Sequence, residues 1–238
     1  MTTQNHPKKQ QGFTLVEIAI VLVIIGLLLG GILKGQELIE NAKVKNGVNT
    51  FNSISSAIFA YQDRFNRLPG DDGPLATLQA RGGTWANITA AGNNNGVILV
   101  AAGATFTGAG ENAALWQHLR AAGFISGNPA DAGVAALPRN PFNGLVGFTN
   151  AVIMTGPDAV PATGTTPAIP GPALTGNKIC MGNVPGKHAR AIDVQLDDGN
   201  SNTGRLRATQ GADNTAPGAG AAALVYSDDQ IYTICYQL

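Results

Sequence analysis

Glu17 is the residue of this chain whose chemistry is hardest to place. It is the only charge within residues 13–33, FTLVEIAIVLVIIGLLLGGIL. A carboxylate deep in hydrocarbon costs about 2.5–3.5 kcal/mol on insertion scales, so such groups usually have a partner. No basic residue stands one turn away: positions 13, 14, 20 and 21 are Phe, Thr, Ile and Val. A cut after Gly12 would give Phe13 a positive amine close to Glu17 in sequence, and the same amine on a neighbouring copy could reach it too. These residues point to charge pairing between subunits inside an apolar bundle. A second oxygen-rich stretch is LDDGNSNTG, residues 196–204, which brings Asp197, Asp198, Asn200 and Asn202 into one short loop. Calcium takes six to eight oxygen ligands and would suit such a loop, but the spacing is not that of an EF-hand, and the same residues serve equally as turn formers.

Other reactive groups are sparse. His6, His118 and His188 are scattered, and no G-x-S-x-G elbow, phosphate loop or Cys–His pair is present. An enzyme is not expected, and no cofactor beyond a calcium ion. Cys180 and Cys235 lack the spacing of a metal site. Downstream of a membrane segment they read best as one disulfide in an oxidising compartment, with two buried thiols as the alternative. The bridge would close a loop of about 55 residues and stabilise by roughly 4 kcal/mol on the chain-entropy estimate. The formal net charge is zero, and Arg205 and Arg207 are too few for a basic stripe, so nucleic acid is not an expected partner. Asn87-Ile88-Thr89 is a formal glycosylation sequon. Trp85, Trp116 and Tyr226 are read as core rings, with a surface adhesive role as the alternative.

The elements that must position these groups follow from periodicity. Residues 13–33 would span about 30 Å as a helix, one hydrocarbon core. Lys8 and Lys9 precede them and leave the preceding segment cytoplasmic. A cleaved secretory signal fits less well, because the apolar run is long, no A-x-A-like site follows it, and Glu17 lies in its first turns. Beyond it, Val44, Val48, Phe51, Ile54, Ile58, Tyr61, Phe65 and Leu68 form a helical stripe. LPGDDGP, residues 68–74, ends the helix, which would run roughly 80 Å at 1.5 Å per residue. Gly26, Gly30, Gly31 and Gly35 allow either a local melt near residues 30–35 or a close helix–helix contact. Residues 97–102, 145–154, 177–182, 222–227 and 231–238 read as strands. Residues 110–125 read as a helix stopped at Gly123, and 186–196 as either helix or strand. Residues 155–176 and 209–223 are Gly/Pro/Ala/Thr loops. The expected fold class is α+β: a long N-terminal helix packed on an antiparallel sheet. Its divisions are residues 1–12, a helix over 13–68 (13–33 transmembrane, 34–68 amphipathic), and an α+β domain over 69–238.

KKQQGFTLVEIAIVLVIIGLLLGG, residues 8–31, resembles the leader and helix start of type IV pilins and type II secretion pseudopilins. The resemblance implies cleavage between Gly12 and Phe13 by a prepilin peptidase, N-methylation of Phe13, and pairing of Glu17 with a neighbour's Phe13 amine. It implies a single-pass inner-membrane precursor, an assembly platform in that membrane, and a helical polymer with minor pilins or pseudopilins as further partners. It also implies a sheet cradling the second half of the helix, with Cys180–Cys235 tying the last strand to an earlier one. Some secretion pseudopilins bind calcium in a C-terminal loop. One departure is that no proline interrupts residues 13–68, where many pilins kink. The expected function is a structural subunit of a type IV pilus-like filament. The alternatives are a secretion pseudopilin, which LPRNPFNG (residues 137–144) favours, and a membrane-anchored periplasmic binding module that never polymerises.

Overall fold

A computed structural model describes residues 12, 14–154, 173–218 and 225–238. Expectations for His6, Lys8, Lys9 and Phe13, for most of the 155–176 loop, and for residues 219–224 lie outside the described residues. The chain divides into two compact units, Met1–Ala42 and Lys43–Leu238.

In the first unit the described chain from Leu15 onward belongs to helix α1, Leu15–Phe65. None of its most apolar stretch is buried; Leu15, Leu22, Leu27 and Leu33 are all exposed. The helix runs unbroken through Gly26, Gly30, Gly31 and Gly35. Past the apolar run, Lys34 and Glu37 form an exposed ion pair of 2.7 Å.

The second unit is built on the rest of α1 and on a four-stranded antiparallel sheet. Strands β1 (Val146–Thr149), β2 (Lys178–Pro185), β3 (Leu206–Gln210) and β4 (Ile231–Gln237) take the order β1-β2-β4-β3. Helices α2 (Leu75–Gln79), α3 (Glu111–Ala121) and α4 (Gly186–Leu196) fill the connections. The fold is α+β, as the pattern of residues predicts. Val44, Phe51, Ile54, Ile58 and Tyr61 of the α1 stripe are buried, while Val48, Phe65 and Leu68 pack at its margin. Phe51 meets Tyr236 of β4 with ring centroids 5.8 Å apart. Gly47 is buried in α1 because α4 lies against it: a Cβ there would stand 2.8 Å from Ile192 Cδ1. Cys180 and Cys235 face each other across β2 and β4 and are joined.

The helix exit at GDDG is more than a turn. Gly70 has φ +96°, and a Cβ would lie 2.8 Å from Glu111 O, so backbone geometry and close approach both call for glycine. Asp71 is buried and accepts the Asn95 and Gly96 amides, which closes the NNNG loop. Asp72 accepts the Tyr61 hydroxyl (2.8 Å) and Arg81 (2.9 Å). His118 accepts the Gly70 amide at Nδ1 and lies 3.2 Å from Ala90 O at Nε2. With Nδ1 an acceptor, the neutral ring carries its proton on Nε2. Burial pushes the His118 pKa down to about 4.

Several sequence expectations need correction. Residues 97–102 form no strand. They alternate correctly, with Ile98 and Val100 buried and Val97 and Leu99 exposed, but side chains answer their backbone: Glu111 takes the Leu99 amide, Asn150 the Val100 amide, and Thr149 donates to Val100 O. The 145–154 strand is reduced to Val146–Thr149, with isolated Arg139–Leu145 and Ile153–Leu174 bridges on either side. Val225, Tyr226 and Ser227 are not in a strand. Residues 186–196 are helical. Strand β3, LRATQ, takes Thr209 and Gln210 out of the predicted 209–223 loop; its polar sequence hides its burial, since Arg207 is 6% exposed and donates to Met154 O.

Candidate functional site

The first turn of α1 is organised by two side chains. Thr14 precedes the helix, and its backbone N–H and hydroxyl both donate to Glu17 Oε2 at 2.8 Å. In return Thr14 Oγ1 accepts the Glu17 amide at 3.3 Å, and the first helical bond runs from the Ile18 amide to Thr14 O. This is a reciprocal capping box, T-x-x-E before an apolar run. It answers orphan amides that lipid could not hydrate and sets a negative group at the positive end of the helix dipole. A cap of this kind contributes about 0.5–2 kcal/mol. The local partner of Glu17 is thus the hydroxyl residue three positions back and not a cation, and the T-x-x-E spacing is a helix-start signature present in the sequence. Gly12 is exposed, while Phe13, the expected source of the partner amine, lies outside the described residues. The box turns the Glu17 carboxylate back onto Thr14 at the N-terminal end of the helix.

The acidic loop after α4 is arranged differently. Carboxylate oxygens of Asp193, Asp197 and Asp198 lie within 4.8 Å of one another. Asp193 is fully buried and was not singled out in sequence; its i,i+4 relation to Asp197 was the available signal. Burial first, and then its acidic neighbours, push the Asp193 pKa up to about 7, against the pull of the Tyr226 hydroxyl and the Gly199 amide. Tyr226 donates to Asp193 at 2.7 Å. Asp197 accepts the Arg205 and Leu206 amides, and Asp198 accepts the Asn200 amide and the Thr203 hydroxyl. The carboxylates serve the loop's own donors, which close it as a hydrogen-bonded turn, and the trio would supply part of the six to eight oxygens that calcium takes, the rest coming from carbonyls, amide side chains or water. Trp85, Trp116 and Tyr226 are all buried, as are His118 and His188.

Residues 7–33 match the family described as the prokaryotic N-terminal methylation motif. The chain carries the prepilin-type leader of type IV pilins and pseudopilins. No curated protein matches the chain. The motif implies processing by a prepilin peptidase and assembly with other pilins, and proteins of this type are generally structural. α1 is long and apolar enough to cross a membrane. With the motif, this supports anchoring in a membrane before assembly.

Proposed function

We propose that the protein is a structural subunit of a type IV pilus-like filament, cleaved between Gly12 and Phe13, methylated on Phe13 and assembled through α1. The observation that carries this reading is the methylation motif running directly into an apolar helix with Glu17 in its first turn. Alone in lipid, Glu17 has Thr14 as its partner. In the fibre it gains a neighbour's Phe13 amine, a charged donor in a low-dielectric surround, which favours assembly and fixes register. Mass spectrometry of the mature chain tests this reading: N-methylated Phe13 is expected, and any other N-terminus overturns it. Deleting the gene while imaging fibres and assaying exoprotein export then identifies the fibre. Loss of surface fibres is expected; loss of export with surface fibres intact would make the chain a secretion pseudopilin instead. Glu17→Ala should abolish fibres while membrane insertion survives, and unchanged fibres would sink the proposed role of this residue.

A further inference from the structure

The chain holds three Asn–Gly pairs: Asn46 with Gly47, Asn95 with Gly96, and Asn143 with Gly144. An asparagine followed by glycine is open to internal attack, because no Cβ shields the glycine nitrogen. The fold protects the first pair and the last. Gly47 is buried inside α1, where its amide belongs to the helical ladder. The Gly144 amide is buried and donates to the neutral Asn140 Oδ1 at 3.0 Å. The middle pair is held differently. Asn95 and Gly96 are both exposed, and Gly96 takes φ +85° with open space where a Cβ would stand. Its amide donates to the carboxylate Oδ2 of Asp71 at 2.8 Å. Asp71 is buried, and its Oδ1 accepts the Asn95 amide at 3.0 Å, which fixes the carboxylate in place. Asn95 Oδ1 accepts the Val97 amide at 2.9 Å, a bond that folds the side chain back over the Gly96 peptide unit. An open pocket of about 460 Å³, lined in part by Asp71, Asn94 and Gly96, gives solvent access to the loop.

We propose that Asn95 and Gly96 form a self-modifying site, at which the Gly96 nitrogen attacks Asn95 Cγ with Asp71 as the positioned base. Asp71 Oδ2 takes the Gly96 N–H proton as the bond from nitrogen to Cγ forms. The Val97 amide meets the charge that develops on Asn95 Oδ1. The Cγ–Nδ2 bond then breaks, Asp71 returns the proton to the leaving nitrogen, and ammonia departs. Solvent water opens the resulting succinimide at either carbonyl and leaves aspartate or isoaspartate. The new carboxylate stands beside Asp71 and repels it, which loosens the loop that closes the exit of α1. The reaction needs only the fold of the second unit and does not rest on the filament reading.

The test incubates the full chain in detergent at mildly alkaline pH, in native buffer and in denaturant, and maps isoaspartate at each pair by peptide mass spectrometry. Asn95 should be modified about tenfold faster in the native chain than in denaturant, whereas Asn46 and Asn143 should be slower in the native chain. Asp71→Asn should slow modification of Asn95 by about a hundredfold, the low end for a positioned base. A native rate at Asn95 no higher than the denatured rate would overturn the proposal, and that comparison does not depend on a variant folding. A rate in Asp71→Asn equal to or above that of the parent would overturn it as well. So would aspartate without isoaspartate at this position, because direct hydrolysis would then replace the cyclic step.

Discussion

Glu17 and Asp193 are both carboxylates set among apolar side chains, and they are held in opposite ways. Glu17 is answered by Thr14, three residues back. Asp193 is answered by Tyr226, 33 residues on, and by Gly199. The first arrangement forms as soon as one helical turn forms. The second exists only once α4, its following loop and the segment before β4 have come together. A group with a local partner needs no more than its own helical turn. A group with a distant partner is committed to one fold.

The largest expected effect tests whether the second unit stands on long-range packing. Phe51→Ala should cost about 3–5 kcal/mol, the usual range for deleting a fully buried aromatic ring. It should appear as a lower denaturation midpoint of the detergent-solubilised chain, with hydrogen exchange at residues 15–17 unchanged. Faster exchange at both places would break the contrast between local and long-range support.

A smaller effect lies in the pH dependence of unfolding. His118 has a folded pKa of about 4 against an ordinary value of 6.5. The unfolded chain therefore binds more protons in that window, and stability is lost as pH falls through it. Asp193 has a folded pKa of about 7 against 3.8. Here the folded chain binds more protons, so stability declines as pH rises from about 4 to 7. The two slopes oppose each other. Asp193→Asn should steepen the loss on acidification, and His118→Gln should flatten it, both read from denaturant midpoints between pH 4 and 7. Identical profiles for the two variants would show that neither buried group is coupled to the fold as described.

The smallest effect belongs to the cap. Thr14→Ala should remove about 1 kcal/mol of local helix stability. Amide exchange at residues 15–17 should quicken while the denaturation midpoint of the disulfide-tied unit stays unchanged. A fall in that midpoint would show that the helix start is coupled to the distant packing.

Legibility divided along the same line. The α1 stripe from Val44 to Phe65 was readable because a helix repeats its buried face every three to four residues, while Leu68, the last residue of the predicted stripe, lies past the helix end. Residues 177–182 and 231–238 were readable as strands from their apolar, β-branched and aromatic content, and the structure carries the first on to Pro185 and ends the second at Gln237. The 97–102 segment shows the limit: its alternation reports extended backbone, but only its neighbours determine whether another strand or side chains such as Asn150 and Glu111 take its hydrogen bonds. β3 shows the converse, a polar stretch drawn into the sheet by pairing with β4. Of the candidate sites, Glu17 was found but its capping partner was missed. The acidic loop was found without Asp193, whose burial depends on Tyr226.

By itself the sequence determined the apolar helix, the Gly12–Phe13 junction with Glu17 beyond it, the amphipathic second half of α1, the α+β class and the cysteine pair. These features depend on residue type and on spacing along the chain, and local physics acts on both directly. Only the tertiary structure decided that GDDG anchors Tyr61, Arg81 and the 93–96 loop, and that Asp193 joins Asp197 and Asp198. Those groups are brought together by long-range packing, and hydrogen bonds and charges act on distance in space, not on separation along the chain.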